Sequence, residues 1–289
     1  MLKQITVISG KGGTGKTTLV GSFAALAENK VIADCDVDAP DLHLILHPEL
    51  IEQEEFKGLK VAVMDKTLCS ECGICEQTCR FNAIALTEAS GYAVNPARCE
   101  GCGACVFTCP QEAVTLKERV SGYAYISKTK YGTMAHAQLN IAEETSGKLV
   151  TVVRTHAQQV AETEGCELIL IDGSPGTGCP VIASLTGVDL AVVVTEPTMS
   201  GLHDLARILD VTSHFGIDST VCINKYDINE AHSERISEFC RQRGVEIAGM
   251  IPYNSVVTEA MVAGKPVVEF SNGVVSDAIK STWSYIYSL

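Results

Sequence analysis

Ile5-Thr6-Val7-Ile8-Ser9-Gly10-Lys11-Gly12-Gly13-Thr14-Gly15-Lys16-Thr17-Thr18 is the stretch from which the architecture can be read. The apolar, β-rich run Ile5-Thr6-Val7-Ile8 reads as a buried strand. Gly10 to Thr17 fits G-x-x-x-x-G-K-S/T, and a helical pattern runs on to about Glu28. Strand, glycine loop and helix in that order are the setting in which this motif cradles phosphate. The glycines let backbone N–H groups converge on phosphate oxygens, and the helix N-terminus adds a dipole favourable to anions. Lys16 is expected on the β- and γ-phosphates and the Thr17 hydroxyl on Mg²⁺. Gly10, Lys11, Gly12, Gly13, Thr14, Gly15 and Thr18 complete the expected nucleotide contacts. A glycine turn with no ligand is the alternative, and the flanking strand and helix argue against it.

Outward from this loop the chain keeps an α/β rhythm. Val31-Ile32-Ala33 reads as a second strand and ends in Asp34-Cys35-Asp36-Val37-Asp38, followed by a helix-like stretch from Pro40 to Leu46. Leu168-Ile169-Leu170-Ile171 and Leu190-Ala191-Val192-Val193-Val194 are unbroken apolar runs, and 219–223 is close to one. Such runs suit strands covered on both faces. Helical patterns over 202–215, 230–243, 256–263 and 274–287 separate or follow them. The fold class expected is α/β, a doubly wound, mostly parallel sheet of the P-loop type.

The rhythm breaks between about 58 and 118, where cysteines crowd in and long helical patterns vanish. The expected organisation is therefore one discontinuous domain, 1–57 with 119–289, interrupted by a small α+β insertion over 58–118. Within the insertion, 69–83 is echoed by 99–113.

Lysine and arginine number 22 against 35 acidic residues, a net charge of −13, which argues against nucleic acid or an anionic membrane as partner. Thirteen cysteines are the compositional outlier. The N-terminus has no apolar signal region, and no stretch approaches ~18 apolar residues, so a cytoplasmic location without membrane insertion is expected. Disulfides are rare there, which turns the cysteines towards metal.

Their spacing narrows the chemistry. Cys69, Cys72, Cys75 and Cys79 form one C-x2-C-x2-C-x3-C run, and Cys99, Cys102, Cys105 and Cys109 form another, ending in Pro110. Both resemble the bacterial ferredoxin pattern, in which the fourth cysteine of each run serves the other cluster. That resemblance implies two [4Fe–4S] clusters, one on Cys69, Cys72, Cys75 and Cys109, the other on Cys99, Cys102, Cys105 and Cys79. Structural zinc is the alternative, because C-x2-C pairs also suit tetrahedral zinc. The first run departs from the pattern with Arg80 where proline often stands. The seven histidines form no metal-spaced pair with a third ligand nearby. Of the other cysteines, Cys35, Cys166, Cys222 and Cys240 read as small buried hydrophobes.

Three features carry a second resemblance: Lys11 inside the phosphate loop, the acidic segment ending at Asp38, and Ile171-Asp172-Gly173-Ser174-Pro175-Gly176-Thr177-Gly178. Together they resemble the deviant-Walker MinD/ParA and nitrogenase iron protein superfamily. The resemblance implies Mg-ATP hydrolysis in a nucleotide-sandwich dimer, either a homodimer or a homologous heterodimer, with Lys11 reaching the partner's phosphates. It implies that Asp38 orients the attacking water, Asp36 sits near the metal, and Asp172 holds Mg²⁺. Each acid taken singly is equally well read as a helix cap or turn former. Asn224-Lys225-Tyr226-Asp227 resembles N-K-x-D, where the aspartate selects guanine. In the MinD-like branch the asparagine contacts adenine, with a later contact near Pro252. ATP is favoured and GTP stays open through Asp227.

Cys179 follows Asp172 at the offset where the nitrogenase iron protein places a cluster ligand. The second cysteine that such a cluster needs is missing near Glu143-Glu144, so packing is the competing reading. MinD also ends in a membrane-targeting amphipathic helix, but 274–289 has Lys280 as its one basic residue and reads as a packed helix. Unlike Mrp-type cluster carriers, the chain has no C-x-x-C after Cys109. Three roles fit these features: assistance to iron–sulfur or metallocluster assembly with a metalloprotein acceptor, ATP-gated electron donation to a redox partner, and a redox-sensing positioning or regulatory switch.

Overall fold

A computed structural model describes residues 2–88, 91–140, 143 and 146–289; Glu144 lies outside them. The chain divides into two compact units. One comprises Met1–Gln53, Ala124–Gln138 and Ser146–Leu289, and the other Glu54–Tyr123 with Leu139–Thr145. Its main stretch, 54–123, is wider than the 58–118 insertion expected from sequence, and the unit also includes Leu139 and Asn140, outside the expected bounds.

In chain order the elements begin with β1 (Lys3–Ser9), α1 (Lys16–Leu26), β2 (Lys30–Asp34), a single turn α2 (His43–Leu46) and β3 (Glu49–Phe56). Then come β4 (Lys60–Met64), α3 (Ile74–Thr78), β5 (Ile84–Thr87), β6 (Gly91–Val94), α4 (Ala104–Thr108) and β7 (Val114–Glu118). β8 (Gly122–Thr129) and β9 (Gly132–Leu139) follow, then α5 (Ser146–Glu164), β10 (Leu168–Pro175), α6 (Cys179–Leu185), β11 (Leu190–Thr195) and α7 (Met199–His214). The chain closes with β12 (Asp218–Asn224), α8 (Glu230–Gln242), β13 (Glu246–Ile251), α9 (Val256–Val262), α10 (Val267–Phe270) and α11 (Val274–Ser288).

One nine-stranded sheet runs in the order β13-β12-β11-β1-β10-β2-β9-β8-β3. From β13 to β9 every neighbouring pair is parallel. The apolar runs are buried on both faces because successive side chains point to opposite sides. Ile5, Val7, Leu168, Leu170, Val192 and Val194 join one core with Phe23 of α1 and Trp283 of α11, whose rings lie 5.0 Å apart. Ile8, Ile169, Ile171 and Val193, the alternate residues, are equally buried. In α5, Leu149, Val153, Ala157 and Ala161 recur every fourth residue and are all buried, the stripe of a helix laid on a sheet.

Val275, Ile279, Trp283 and Ile286 of α11 are buried, so the last helix packs on its own domain as its sequence indicates. Among the described residues no helix is long and apolar enough to cross a membrane.

The second unit holds two antiparallel pairs, β4 with β7 and β5 with β6, and the one-turn helices α3 and α4. Its small core joins Ala62, Ala83, Cys99 and Val114, with Cys79, Cys105 and Cys109 packed against it.

Candidate functional site

Parallel pairing puts the C-terminal ends of β1, β2, β10, β11 and β12 on one edge of the sheet, where open α/β sheets bind ligands. The glycine loop leaves β1 there and enters α1. Gly15 takes φ 90°, and a Cβ on it would stand 2.3 Å from Asn224 Nδ2, so only glycine fits. Asn224 Nδ2 in turn donates to Thr14 O at 2.7 Å and holds the loop against β12.

The loop forms one wall of a cleft of about 640 Å³, the size of a cofactor site. Gly12, Gly13, Thr14, Gly15, Lys16, Thr17 and Thr18 line it, with Asp36, Asp38, Ser174, Pro175, Asn224, Lys225 and Pro252. Tyr253, beside the expected Pro252 contact, lines it too, and Val257 and Met261 add an apolar side that sequence reasoning had not identified. Asp227 is not in the lining: its carboxylate accepts the Tyr253 N–H at 2.7 Å and shapes the turn that carries Pro252.

Beneath the loop lies a buried charge cluster. Lys16 Nζ is 2.5 Å from Asp172 Oδ1 and 3.6 Å from Asp36 Oδ2. Asp172 pairs in register with Asp34 across β10 and β2. Asp34 accepts the Asp36 N–H at 3.1 Å. Sequence reasoning gave Asp34 no role, since an acid at a strand end reads as a cap until its neighbouring strand is known. Asp34 Oδ2 and Asp172 Oδ2 are buried with no hydrogen-bond partner. Burial works against the Lys16 charge, but Asp172, Asp36 and Asp34 together outweigh it and raise its pKa. Burial first, then the Asp172 charge, push the Asp34 carboxyl well above the ordinary range. Burial also raises Asp36, assisted by Asp172, and raises Asp38. Three carboxylates face one ammonium, and the orphaned oxygens and surplus negative charge fit a divalent cation.

The cluster carries a stability prediction. A carboxyl raised in the folded state stays protonated there while the unfolded chain has already ionised. Stability therefore falls as pH rises from the ordinary aspartate range through the folded value. Asp34→Asn keeps the Oδ1 acceptor and removes the ionisable group. It is expected to raise stability at pH 7 by about 1–2 kcal/mol without nucleotide or Mg²⁺, and the gain shrinks towards pH 4. Thermal melts of both proteins across pH measure it, and an Asn variant less stable at every pH contradicts it.

The acidic segment and the loop after β10 are tied together. Cys35 N donates to Asp172 O at 2.8 Å, Ser174 Oγ donates to Cys35 O at 2.6 Å, and Gly176 N donates to Ser9 O at 2.8 Å. Any ligand that moves one segment therefore pulls on the other. Gly10 packs against α7, where Asp204 leaves no room for a Cβ. Lys11 Nζ lies 3.2 Å from Ser200 Oγ and 3.4 Å from Glu196 Oε2.

In the second unit the eight motif cysteines line two cavities. Cys69, Cys72, Cys75 and Cys109 line one, and Cys79, Cys99, Cys102 and Cys105 the other. Backbone N–H groups point at three of the sulfurs: Ala83 to Cys79 at 3.4 Å, Ala62 to Cys99 at 3.4 Å and Ala113 to Cys109 at 3.3 Å. Gly101 takes φ 61°, and a Cβ there would lie 2.2 Å from Lys60 O. Among the described residues no three His, Cys, Asp or Glu side chains already stand as a metal-ligand group.

Cys179 opens α6 and is exposed, its Cβ lying 3.1 Å from where a Cβ on Gly147 would be. Cys35, Cys222 and Cys240 are fully buried. Burial pushes the Cys222 thiol up to about 12 and Cys240 to about 11, and raises Cys35 as well, which keeps them unreactive. Cys166 is half-buried, less enclosed than expected.

The model of the CobQ/CobB/MinD/ParA nucleotide binding domain matches residues 5–267, across the loop, the acid cluster and the cleft. The chain belongs to this family. An uncharacterized protein of Methanocaldococcus jannaschii is 33% identical over 290 residues, covering 98% of this chain and 96% of the relative. Among solved structures, septum site-determining protein MinD of Pyrococcus horikoshii, complexed with Mg-ADP, superimposes with a TM-score of 0.57 at 16% identity, covering 99% of this chain and 96% of that one. The MinC:MinD cell division complex of Aquifex aeolicus gives 0.59 at 17% identity, covering 99% and 96%. The matched span includes the glycine loop, the acid cluster and the residues that line the cleft.

Proposed function

We propose that the chain is a Mg-ATP-hydrolysing switch whose second unit carries two [4Fe–4S] clusters, and that it assists iron–sulfur or metallocluster assembly or transfer. The observation carrying the cluster half is the sorting of the eight cysteines. Each cavity takes three cysteines from one run and the fourth from the other, the arrangement expected of a two-cluster ferredoxin. The N–H groups of Ala83, Ala62 and Ala113, aimed at the sulfurs of Cys79, Cys99 and Cys109, are placed to donate to cluster-bound sulfur. Eight thiolates in two fours suit iron–sulfur cubes better than zinc.

On the nucleotide side, Lys16 binds the β/γ-phosphates, and Thr17, Asp36 and Asp172 hold Mg²⁺. The metal, when bound, neutralises charge on the phosphates. Asp38, on the cleft wall, orients the attacking water. Lys11 reaches the phosphates of a second copy or of a homologous partner. Adenine suits the cleft better than guanine, because Asp227 is spent on the Tyr253 N–H while Asn224, Lys225 and Pro252 face the cleft. The MinD of P. horikoshii was captured with Mg-ADP, which supports the same cofactor pair here. The MinC:MinD complex supports a protein partner, which for this chain would be a metalloprotein acceptor.

A second reading, ATP-gated electron donation, is favoured by the exposure of Cys72 and Cys102, one cysteine of each cavity, since a cluster held there would lie near the surface. One experiment separates the two. The reconstituted protein is mixed anaerobically with an apo-protein that needs a [4Fe–4S] cluster, with Mg-ATP, Mg-ADP or neither. Transfer is expected to be fastest with Mg-ATP. Clusters that stay put in every state, with a midpoint potential that shifts on adding Mg-ATP, decide for electron donation.

A further inference from the structure

Lys11 is held by its own chain, and one residue dominates the hold. Ser9 of β1 stands in register with Val194 of β11, so two residues on, Lys11 and Glu196 leave adjacent strands in step. Glu196 is partly buried and takes two lysines at once, Lys225 at 2.5 Å and Lys11 at 3.4 Å. Ser200 Oγ is the second contact of the Lys11 ammonium, at 3.2 Å. Lys225 lines the nucleotide cleft and also donates to Gly13 O at 3.4 Å.

We propose that Glu196 is a releasable latch on Lys11: it holds the lysine in its own subunit and sets how readily the ATP-bound chain pairs with a second copy. The inference rests on the reading that Lys11 serves a partner's phosphates. A lysine cannot keep both partners, so pairing requires the Glu196 contact to open. Stranding a partly buried carboxylate would ordinarily oppose that opening. Here Lys225 stays on Glu196 at the shorter distance and keeps it paired when Lys11 leaves. Phosphates of a second nucleotide offer Lys11 more negative charge than the half-shared carboxylate, which gives the exchange its direction. Because the second lysine lines the cleft, the latch adjoins the proposed nucleotide site.

Sedimentation velocity tests this on the reconstituted protein with a non-hydrolysable ATP analogue, comparing wild type, Glu196→Gln, Glu196→Asp, Lys11→Ala and the Glu196→Gln/Lys11→Ala double variant. Glutamine keeps the size and the acceptor and removes the charge. Opening one partly exposed pair is worth roughly threefold, and a dimer opens two, so Glu196→Gln should lower the dimer dissociation constant about tenfold. Glu196→Asp should stay near wild type, and the double variant should fail to pair, as Lys11→Ala does. A Glu196→Gln protein that pairs like wild type or more weakly, while Lys11→Ala abolishes pairing, overturns the latch. Tighter pairing that persists in the double variant overturns it too, since the effect then bypasses Lys11. Normal pairing by Lys11→Ala alone overturns the underlying reading of Lys11 instead.

Discussion

Lys16→Ala lowers ATP turnover by at least about 10³-fold, the largest effect expected of any single substitution in the cleft. The losses compound. One preorganised donor on developing phosphate charge is worth ~10²–10³ in rate. Lys16 is also the cation shared by Asp172 and Asp36, with Asp34 close behind. Without it the Asp172 and Asp36 carboxylates face the incoming triphosphate unbalanced, so nucleotide binding suffers as well as chemistry. Removing one partner of a buried charge cluster costs about 3–5 kcal/mol of stability. A second substitution separates the effects: Lys16→Ala/Asp172→Asn removes one stranded charge and should recover part of the melting temperature, but no activity. Phosphate release and thermal melts read the two separately. Turnover by Lys16→Ala within tenfold of wild type would remove the assignment of this loop.

The second large effect concerns the cysteines. Protein reconstituted without oxygen should hold about eight iron atoms per chain, two cubes of four, and Cys109→Ser about four. The discriminating variants are double. Cys109 and Cys75 line the same cavity though they come from different runs, whereas Cys109 and Cys105 share a run but line different cavities. Cys75→Ser/Cys109→Ser should therefore keep about four irons, while Cys105→Ser/Cys109→Ser should keep almost none. Iron analysis with the visible absorption band reads the outcome. The opposite pattern would mean that each run closes on itself, and about two zinc ions per chain with no visible band would make the site structural zinc.

Much of the architecture was legible before any coordinates. The runs at 168–171 and 190–194 announce themselves because a strand covered on both faces needs apolar residues at every position. β3 does not. Its residues are mostly exposed, at the end of the strand order, and Glu52, Glu54 and Glu55 serve an edge that must resist further pairing. An edge strand of that kind has no apolar period to detect. The hairpin of β8 and β9 escaped notice for a related reason: it is half-covered, and its tight turn Lys130-Tyr131 uses neither proline nor asparagine-glycine.

The candidate sites divide along the same line. Sequence by itself determined the phosphate loop, the two cysteine runs and the order of the acidic segments. Each is a short-range pattern, written in residues close together in the chain, and so is visible without knowing which strands are neighbours. Only the tertiary structure decided that Asp34 stands beside Asp172, that Asp227 is engaged by Tyr253, and that Glu196 holds Lys11. Those neighbours come from different strands, and their meeting depends on which strand lies next to which. Side-chain chemistry cannot announce that order locally, because it is settled by how the whole sheet buries its apolar faces.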